Sequence, residues 1–210
     1  MRHRSLFGVL CLLLTLAACG GGEEKLAVIP EGQRVLAFGD SVTHGTGAGA
    51  GEDWPSLLAK KTGWQVINAG VPGDTAQAGK SRMQALLDEH RPALVIIEIG
   101  GNDFLRRRPP GQVKEDLREL LKATKAAGAQ PVLVGVPELS LLAVVSGRPA
   151  DSPIYAALGD EEKVPVISDV FSDVLARPEL CADRIHPNAE GYRYLADGIL
   201  AALKAFGLSR

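Results

Sequence analysis

Five short and almost wholly apolar runs restrict most strongly how this chain can fold. They lie at residues 35–39, 65–68, 94–99, 132–136 and 164–168, and longer amphipathic stretches separate them. Continuous apolar runs of this length are typical of parallel strands that are covered on both faces. Strands that alternate with helices predict an α/β fold in three layers, with a doubly wound sheet of five parallel strands.

The stretches between the runs contain four patterns typical of helices with one apolar face. They span residues 54–61, 75–89, 112–127 and 188–206. The chain has 210 residues and is 46% hydrophobic, which suffices for one well-packed domain and is short for two. We therefore predict a single domain at residues 33–210.

One connection, at residues 138–160, is longer than connections in compact domains usually are. Its first part is apolar at positions 139, 141, 142, 144 and 145. Two interpretations stay open: the stretch forms a further helix of the core, or it forms a flap that faces the substrate.

The first 19 residues, MRHRSLFGVLCLLLTLAAC, differ in kind from the rest of the chain. A basic start precedes an apolar run from Leu6 to Ala18 that is too short to span a membrane as a permanent helix. A basic start, an apolar middle and small residues at the end are typical of an export signal. The last four residues, Leu-Ala-Ala-Cys, resemble the bacterial lipobox, where a signal is cut before a cysteine that carries lipid.

We therefore predict a lipoprotein signal peptide at residues 1–18, a lipid on Cys19 and a flexible tether at residues 19–32. An ordinary cleaved signal or a short buried helix is the alternative. Gly20, which follows the cysteine in place of Asp, resembles the pattern for outer-membrane sorting in Gram-negative cells. We expect an exported protein whose lipid anchors it to a bacterial membrane, the outer membrane, facing the periplasm.

Net charge and cysteine usage limit the partners that we expect. Loss of residues 1–18 lowers Lys+Arg from 23 to 21 while Asp+Glu stays at 25, so the formal charge changes from −2 to −4. This balance suggests neither nucleic acid nor an anionic lipid surface as a partner. With Cys11 removed and Cys19 lipidated, Cys181 is left without a partner for a disulfide or a cysteine metal site.

Side chains and backbone groups that can take part in catalysis follow the predicted strands, at the edge where ligands bind in open α/β sheets. Ser41 follows the first run, Gly73 the second and Asn102 the third, while Asp183 and His186 lie near the C-terminus. A hydroxyl, flexible backbone amides, a carboxamide, a carboxylate and an imidazole are the groups that acyl transfer requires. This set predicts a nucleophilic serine at the sheet edge.

The glycines around Ser41 raise the alternative of a loop that cradles phosphate. Gly45, Gly47 and Gly49 fall at every second position and no Lys follows them, so neither the P-loop nor the dinucleotide fingerprint fits. The G-x-S-x-G elbow of other hydrolases fails too, because Thr43 stands where glycine is required.

Three histidines remain after the predicted signal, and they differ in context. His90 closes a predicted helix, where a cation has an ordinary structural explanation. His44 lies three residues from Ser41, and we expect it to line the cleft or face solvent. His186 follows Asp183 by three residues, so both side chains can face the cleft from one loop. We predict His186 as the base, with a purely structural Asp-His pair as the alternative.

Other polar residues near the strand ends have structural alternatives. Asn102 can cap the helix that follows it, and Gly73 can complete a turn after Pro72. We expect the remaining carboxylates to hold loops: Asp40, Asp74 and Asp103. Glu98 lies within the third strand, where an ionised carboxylate is costly unless paired, so we expect a buried partner that the sequence does not identify.

Four motifs in this order resemble the GDSL esterases, also called SGNH hydrolases. They are Gly39-Asp40-Ser41, the turn at residues 68–75, Gly100-Gly101-Asn102-Asp103, and Asp183-x-x-His186. The resemblance covers essentially the whole chain after the signal. Trp54-Pro55 and Ile185-His186-Pro187-Asn188 are similar to the branch that contains thioesterase I, lysophospholipases and arylesterases.

The resemblance implies a flavodoxin-like fold and a serine esterase that acts on carboxylic esters or thioesters, including aryl esters and lysophospholipids. It implies no metal and no organic cofactor. Ser41 is implied as the nucleophile, His186 as the base and Asp183 as the residue that orients it. The implied oxyanion hole consists of the Ser41 and Gly73 backbone N–H groups and the Asn102 amide. A carbohydrate-directed acetylesterase on the same fold and a non-enzymatic ligand-binding lipoprotein stay open as alternatives.

Two stretches depart from the resemblance. The loop at residues 104–111, FLRRRPPG, carries Arg106, Arg107 and Arg108 and is more cationic than the family requires. It is either a solvated basic loop or a contact for anionic groups of a substrate or membrane. Residues 138–160 do not follow the family closely, and we expect them to supply a wall of the acyl pocket.

Overall fold

A five-stranded parallel sheet forms the centre of the structure, a computed structural model that describes residues 26–138 and 149–210. Its strands are β1 (Arg34–Gly39), β2 (Gln65–Gly70), β3 (Leu94–Glu98), β4 (Gln130–Val134) and β5 (Val166–Ile167). They are hydrogen-bonded in the order β2-β1-β3-β4-β5, and every pair is parallel. The sheet confirms the predicted doubly wound α/β fold.

Helices cover both faces of the sheet. Those in the described ranges are α1 (Ser41–His44), α2 (Trp54–Thr62), α3 (Ala76–His90), α4 (Gly101–Leu105), α5 (Pro110–Ala126), α6 (Pro153–Glu162), α7 (Val170–Leu175) and α8 (Ala189–Ala205). Helix α3 packs against α5, and α2 packs against α8. Across residues 26–138 and 149–210, no helix combines the length and the apolar character that crossing a bilayer requires.

The core explains why the strand sequences are continuous apolar runs. Strands β1 and β3 are central, and after Arg34 every one of their residues is buried. Strand β2 lies at an edge of the sheet and is only partly buried, which accommodates the polar Asn68. A strand that is buried on both faces needs apolar side chains at successive positions, as observed in β1 and β3.

The bounds of the last two strands differ from those predicted. Strand β4 begins at Gln130, two residues earlier than predicted, because the Gln130 N–H donates to the Ala93 carbonyl (3.0 Å) and so extends the ladder with β3. Strand β5 has two residues, and Asp169, with φ of 65°, turns the chain soon after it. Neither feature leaves a hydrophobic signal in the sequence.

Residues 26–32 pack against the domain, so the prediction of a flexible tether up to residue 32 is wrong for these residues. The Ile29 side chain is buried, its N–H donates to the Leu208 carbonyl (2.9 Å), and its carbonyl accepts from Trp64 Nε1 (3.1 Å). Burial of an apolar side chain and these bonds fix the segment. The predicted signal peptide, Cys19 and the tether at 19–25 lie outside the described residues.

The long connection after β4 returns to the sheet edge and then forms a helix. Pro137 and Asp151 form an antiparallel bridge, and the Ser152 N–H donates to the Val136 carbonyl (3.0 Å). Helix α6 follows and buries Ile154, Tyr155 and Leu158. The second half of the connection therefore contributes a core helix, whereas its apolar residues at 139–145 lie outside the described residues.

Candidate active site

Ser41 is the first residue of α1, directly beyond the carboxyl end of the central strand β1. A Cβ on Gly39 would overlap the Glu98 carbonyl oxygen and Thr43 Oγ1, so only glycine permits this close turn from strand to helix. Asp40 caps the helix, because its Oδ1 accepts from the Val42 N–H at 3.1 Å. The local sequence thus holds the Ser41 hydroxyl at the sheet edge.

A continuous chain of hydrogen bonds joins Ser41, His186 and Asp183. His186 Nε2 lies 2.9 Å from Ser41 Oγ, and His186 Nδ1 lies 2.7 Å from Asp183 Oδ2. Ser41 and His186 are 145 positions apart in the sequence. The fold therefore brings the predicted nucleophile, base and orienting carboxylate into direct contact.

The Asp183 carboxylate is held in its ionised form. Partial burial would raise its pKa, but hydrogen bonds from the His186 ring and from the Ile185 and His186 N–H groups (2.8 and 2.9 Å) outweigh it and lower the pKa. An ionised carboxylate only accepts hydrogen bonds, so His186 Nδ1 carries the proton that it donates to Asp183. His186 Nε2 in the neutral ring is then free to accept from the Ser41 hydroxyl.

The glycine-rich loop after α1 supports the segment that carries His186. Gly47 has φ of 100°, and a Cβ there would lie 2.5 Å from the Pro187 carbonyl oxygen and 2.9 Å from Ala182 Cβ. The Tyr192 hydroxyl on α8 donates to the Thr46 carbonyl (2.8 Å). These contacts give the loop a packing role behind His186.

The two predicted oxyanion donors beyond Ser41 lie in different positions. Asn102, on α4, lines the same cleft as Ser41 and His186. Its Nδ2 donates to Asp40 Oδ2 (3.1 Å) and to the Asp74 carbonyl (2.9 Å). Gly73 is exposed on the neighbouring loop, and the cleft lining that the described residues form does not include it. The structure therefore brings Asn102, and not Gly73, to the wall of the cleft.

Arg82 bonds the carboxyl ends of β1 and β2 near Ser41. No pattern in the sequence predicts this role. The Arg82 guanidinium donates to the Asp74 carboxylate (2.7 Å) and to the carbonyls of Ala69 (2.7 Å) and Gly39 (2.8 Å). The side chain also lies over the Phe38 ring, 4.0 Å from its centroid. Asp74 thus holds its loop, as expected, but through a cation on α3.

The three consecutive arginines have different surroundings. Arg108 pairs with the buried Asp103 and, at 2.8 Å, with Asp116. Asp103 also accepts from the Ala76 N–H (2.8 Å), so it holds a loop as expected. Arg106 and Arg107 are both exposed, and Arg106 donates to the Gly73 carbonyl (3.0 Å). Arg108 is therefore a structural cation, and only its two neighbours face solvent.

Glu98 has the buried partner that the sequence did not identify: Thr43 Oγ1 donates to its Oε2 at 2.8 Å. Burial, and then the nearby charge of Asp40, raise the pKa of Glu98 well above its ordinary value against this hydrogen bond. Its other oxygen has no hydrogen-bond partner among the described residues. Glu98 therefore holds its proton to a higher pH than an ordinary glutamate, and it borders the same cleft as Ser41.

Asp40 lines the cleft together with Glu98, and its pKa is also raised. Burial raises its pKa to about 6, although the Val42 N–H, the nearby His186 and the Asn102 amide each lower it. Asp40 and Glu98 therefore differ in how readily they ionise, and Asp40 carries the charge first.

The cleft beside Ser41 is mostly apolar. Its apolar walls consist of Val42, Leu105, Val136, Pro137, Phe171, Leu175 and Ile185. Apolar walls around a few polar groups are typical of small-molecule sites. In the part of the chain that the structure describes, no three His, Cys, Asp or Glu side chains are grouped so as to hold a metal ion.

A serine, an imidazole and a carboxylate at the carboxyl edge of a doubly wound parallel sheet define a serine hydrolase site on an α/β fold. Residues 37–194 match the family described as GDSL-like Lipase/Acylhydrolase. The chain belongs to this family, which confirms the resemblance found in its sequence motifs.

Relatives of known class extend over most of the chain. It is 38% identical over 177 residues to Thioesterase 1/protease 1/lysophospholipase L1 of Escherichia coli (strain K12), covering 81% of this chain and 83% of that protein. It is 30% identical over 202 residues to the arylesterase of Vibrio mimicus, covering 92% and 95%. The crystal structure of TesA superposes with a TM-score of 0.73 at 30% identity, covering 83% and 99%. The chain is therefore a serine hydrolase that acts on ester bonds.

Replacing Glu98 with Gln is expected to make the fold less sensitive to rising pH. The folded state keeps a proton on Glu98 above pH 4.5, where the unfolded chain releases it, so wild-type stability falls as pH rises past this value. Gln cannot titrate, and its carbonyl still accepts from Thr43. Urea denaturation should give similar stabilities at about pH 4 and an advantage of about 1 kcal/mol or more for Glu98→Gln at about pH 8.

Glu89→Gln is the matched control, because the Glu89 side chain is 72% exposed. Its stability relative to the wild type should be nearly the same at both pH values. If Glu98→Gln and the wild type lose stability in parallel as pH rises, Glu98 is not held neutral in the fold.

Proposed function

We propose that this enzyme hydrolyses carboxylic esters or thioesters through an acyl-enzyme on Ser41. The observation that carries the proposal is the hydrogen-bond chain from Ser41 Oγ to His186 (2.9 Å) and from His186 to Asp183 (2.7 Å). A serine hydroxyl is a poor nucleophile until a positioned base takes its proton. The relatives named as a thioesterase and an arylesterase support both leaving-group classes.

In the first half of the reaction, Ser41 Oγ attacks the carbonyl carbon while His186 Nε2 takes the hydroxyl proton. Asp183 stabilises the imidazolium through Nδ1. The tetrahedral intermediate collapses, the carbon–oxygen or carbon–sulfur bond breaks, and His186 returns the proton to the leaving alcohol or thiol. The acyl group stays on Ser41 as an ester.

In the second half, His186 deprotonates a water molecule that attacks the acyl-enzyme. Collapse of the second intermediate breaks the bond to Ser41 Oγ, which recovers its proton from His186, and the carboxylic acid leaves. We assign the oxyanion to the Ser41 N–H group and the Asn102 amide, whereas the Gly73 N–H, which lies outside the cleft lining that the described residues form, stays a prediction as the third donor. Neither backbone N–H donates to a protein acceptor within the described residues, so both are available.

Ser41→Ala is expected to abolish labelling by a fluorophosphonate probe and to lower ester turnover by about 10³-fold or more, because no nucleophile remains. Gel fluorescence and nitrophenyl butyrate hydrolysis measure the two effects. Ser81→Ala is the matched control, since Ser81 is an exposed serine on α3. Labelling that persists in Ser41→Ala would place the nucleophile elsewhere.

From the walls of the cleft we infer a substrate whose acyl chain is longer than acetate. Leu105, Leu175 and Phe171 lie along it, and burial of each methylene of an acyl chain contributes about 0.8 kcal/mol. Leu105 is 47% exposed and marks the mouth of the cleft. The relative named as a lysophospholipase supports acyl groups longer than acetate.

A chain-length series of nitrophenyl esters tests this assignment. We expect kcat/KM to rise from acetate to octanoate, and Leu105→Glu to lower the octanoate value about tenfold while acetate changes less than about twofold. Val28→Glu is the matched control, because Val28 is 43% exposed and lies outside the cleft lining. A sharp optimum at acetate together with turnover of acetylated sugars would instead favour a carbohydrate acetylesterase.

We propose further that Cys19 carries a lipid and that the enzyme is exported and anchored at the outer membrane, facing the periplasm. The lipobox-like sequence before Cys19 supports lipidation.

Ala27 bonds Gln130, the first residue of β4, so the described chain starts at the amino edge of the sheet, whereas Ser41 lies at the carboxyl edge. Residues 19–25 span at most about 25 Å when extended. The cleft of an anchored enzyme is then expected to face away from the anchoring membrane, toward substrates that arrive through water.

Metabolic labelling with an alkynyl fatty acid in a Gram-negative host tests the anchor. The wild type and Cys181→Ala should carry the label, because Cys181 is the other cysteine after the predicted signal. Cys19→Ala should carry none. Equal labelling of Cys19→Ala and the wild type, or no label on the wild type, would refute the proposed lipidation.

A further inference from the structure

The two oxygens of the Asp40 carboxylate contact two different parts of the active site. Oδ1 accepts from the Val42 N–H of α1, and Oδ2 accepts from Asn102 Nδ2 of α4, each at 3.1 Å. Asp40 is only 3% exposed, so water competes little for either bond. One carboxylate therefore links the helix that begins with Ser41 to the Asn102 side chain.

The Asn102 amide has two acceptors and therefore one defined orientation. Its nitrogen donates to Asp40 Oδ2 and, at 2.9 Å, to the Asp74 carbonyl oxygen. A side-chain amide has a donor end and an acceptor end, and two acceptors select the donor end. A flipped amide would present its oxygen to both acceptors. The amide nitrogen has only two N–H groups and both are donated in this structure, so an oxyanion binds Asn102 by sharing one of them, and the bond to Asp40 is the longer of the two.

We propose that Asp40 is a positioning residue for ester hydrolysis, which fixes the donor end of the Asn102 amide at a set distance from Ser41. This inference rests on the proposed roles of Ser41 and Asn102. The nucleophile and the oxyanion donor lie on separate helices, α1 and α4, beyond neighbouring strands. The Asp40 side chain bonds both helices and so fixes the position of one relative to the other.

A carboxylate performs this task better than other capping residues. It has acceptors only, so one rotamer satisfies Val42 and Asn102 together. A bond from an amide to an ionised carboxylate is also stronger than one to a neutral group. Serine can cap a helix equally well, but its single oxygen is bound to Cβ and cannot also reach Asn102.

The test is a double-mutant cycle with Asp40→Ser and Asn102→Ala, measured with nitrophenyl butyrate. Asp40→Ser keeps a cap for α1 and loses the bond to Asn102. We expect it to lower kcat about 10- to 100-fold with KM changed less than about threefold, because the amide acts on the transition state. Asn102→Ala should lower kcat by about 10²–10³-fold.

The double variant should be no slower than Asn102→Ala, within about threefold, because Asp40 acts through the residue that has been removed. Asp53→Ser is the matched control: Asp53 caps α2 through Ser56 (2.9 Å), and its loss should leave kcat within about threefold. Thermal unfolding of each variant separates lost positioning from lost folding.

Two results would overturn the inference: kcat of Asp40→Ser within about twofold of the wild type, or losses that multiply in the double variant. Asp40→Asn provides a second substitution of the same size, whose amide cannot satisfy Val42 and Asn102 in one orientation. Either result would leave the proposed function intact if Ser41→Ala is inactive in the same assay. Full activity of Ser41→Ala would instead refute the proposed function.

Discussion

The turn from β1 into α1 is the constraint on which the site depends. At Gly39 the backbone passes so close to the Glu98 carbonyl and Thr43 Oγ1 that no side chain fits. Strand β1 is bonded on both sides, so the turn has a fixed position in the sheet. Ser41 and the Asp40 cap follow from it, and Thr43 is brought over Glu98. The position of the nucleophile is therefore set by an inner strand of the sheet.

Three carboxyl groups near Ser41 differ in charge because their surroundings differ. Glu98 is fully buried with one donor and stays neutral, whereas burial raises the pKa of Asp40 to about 6 against three favourable contacts. Asp183 is partly exposed and accepts three hydrogen bonds, which lower its pKa. While Glu98 is protonated it does not repel a negative charge on the nearby Asp40. The ionised Asp183 accepts a hydrogen bond from the His186 ring. The negative charge thus lies where it orients Asn102 and His186.

The sequence predicted the sheet and the hydroxyl–imidazole–carboxylate set because both leave linear signals. Central strands need continuous apolar runs, and Asp183 and His186 are only three residues apart. The bonds that support the site join distant residues, such as Thr43 with Glu98 and Arg82 with Gly39, and no local pattern records them. The tether prediction is wrong at Ile29 because the apolar run at residues 26–29 is too short to show a period, yet Ile29 is buried and bonds Trp64 and Leu208.

Two cations and one amide hold the loop that contains Gly73. Arg82 bonds the Asp74 carboxylate, Arg106 bonds the Gly73 carbonyl, and Asn102 bonds the Asp74 carbonyl. Arg108 acts one step further away, because it pairs with Asp103, which accepts from the N–H that begins α3. Each bond uses an oxygen of the loop or of its neighbour and leaves the Gly73 N–H without a protein acceptor in the described chain. The basic sequence at 106–108 is thus explained in part by support of a loop whose free donor the proposed oxyanion hole requires.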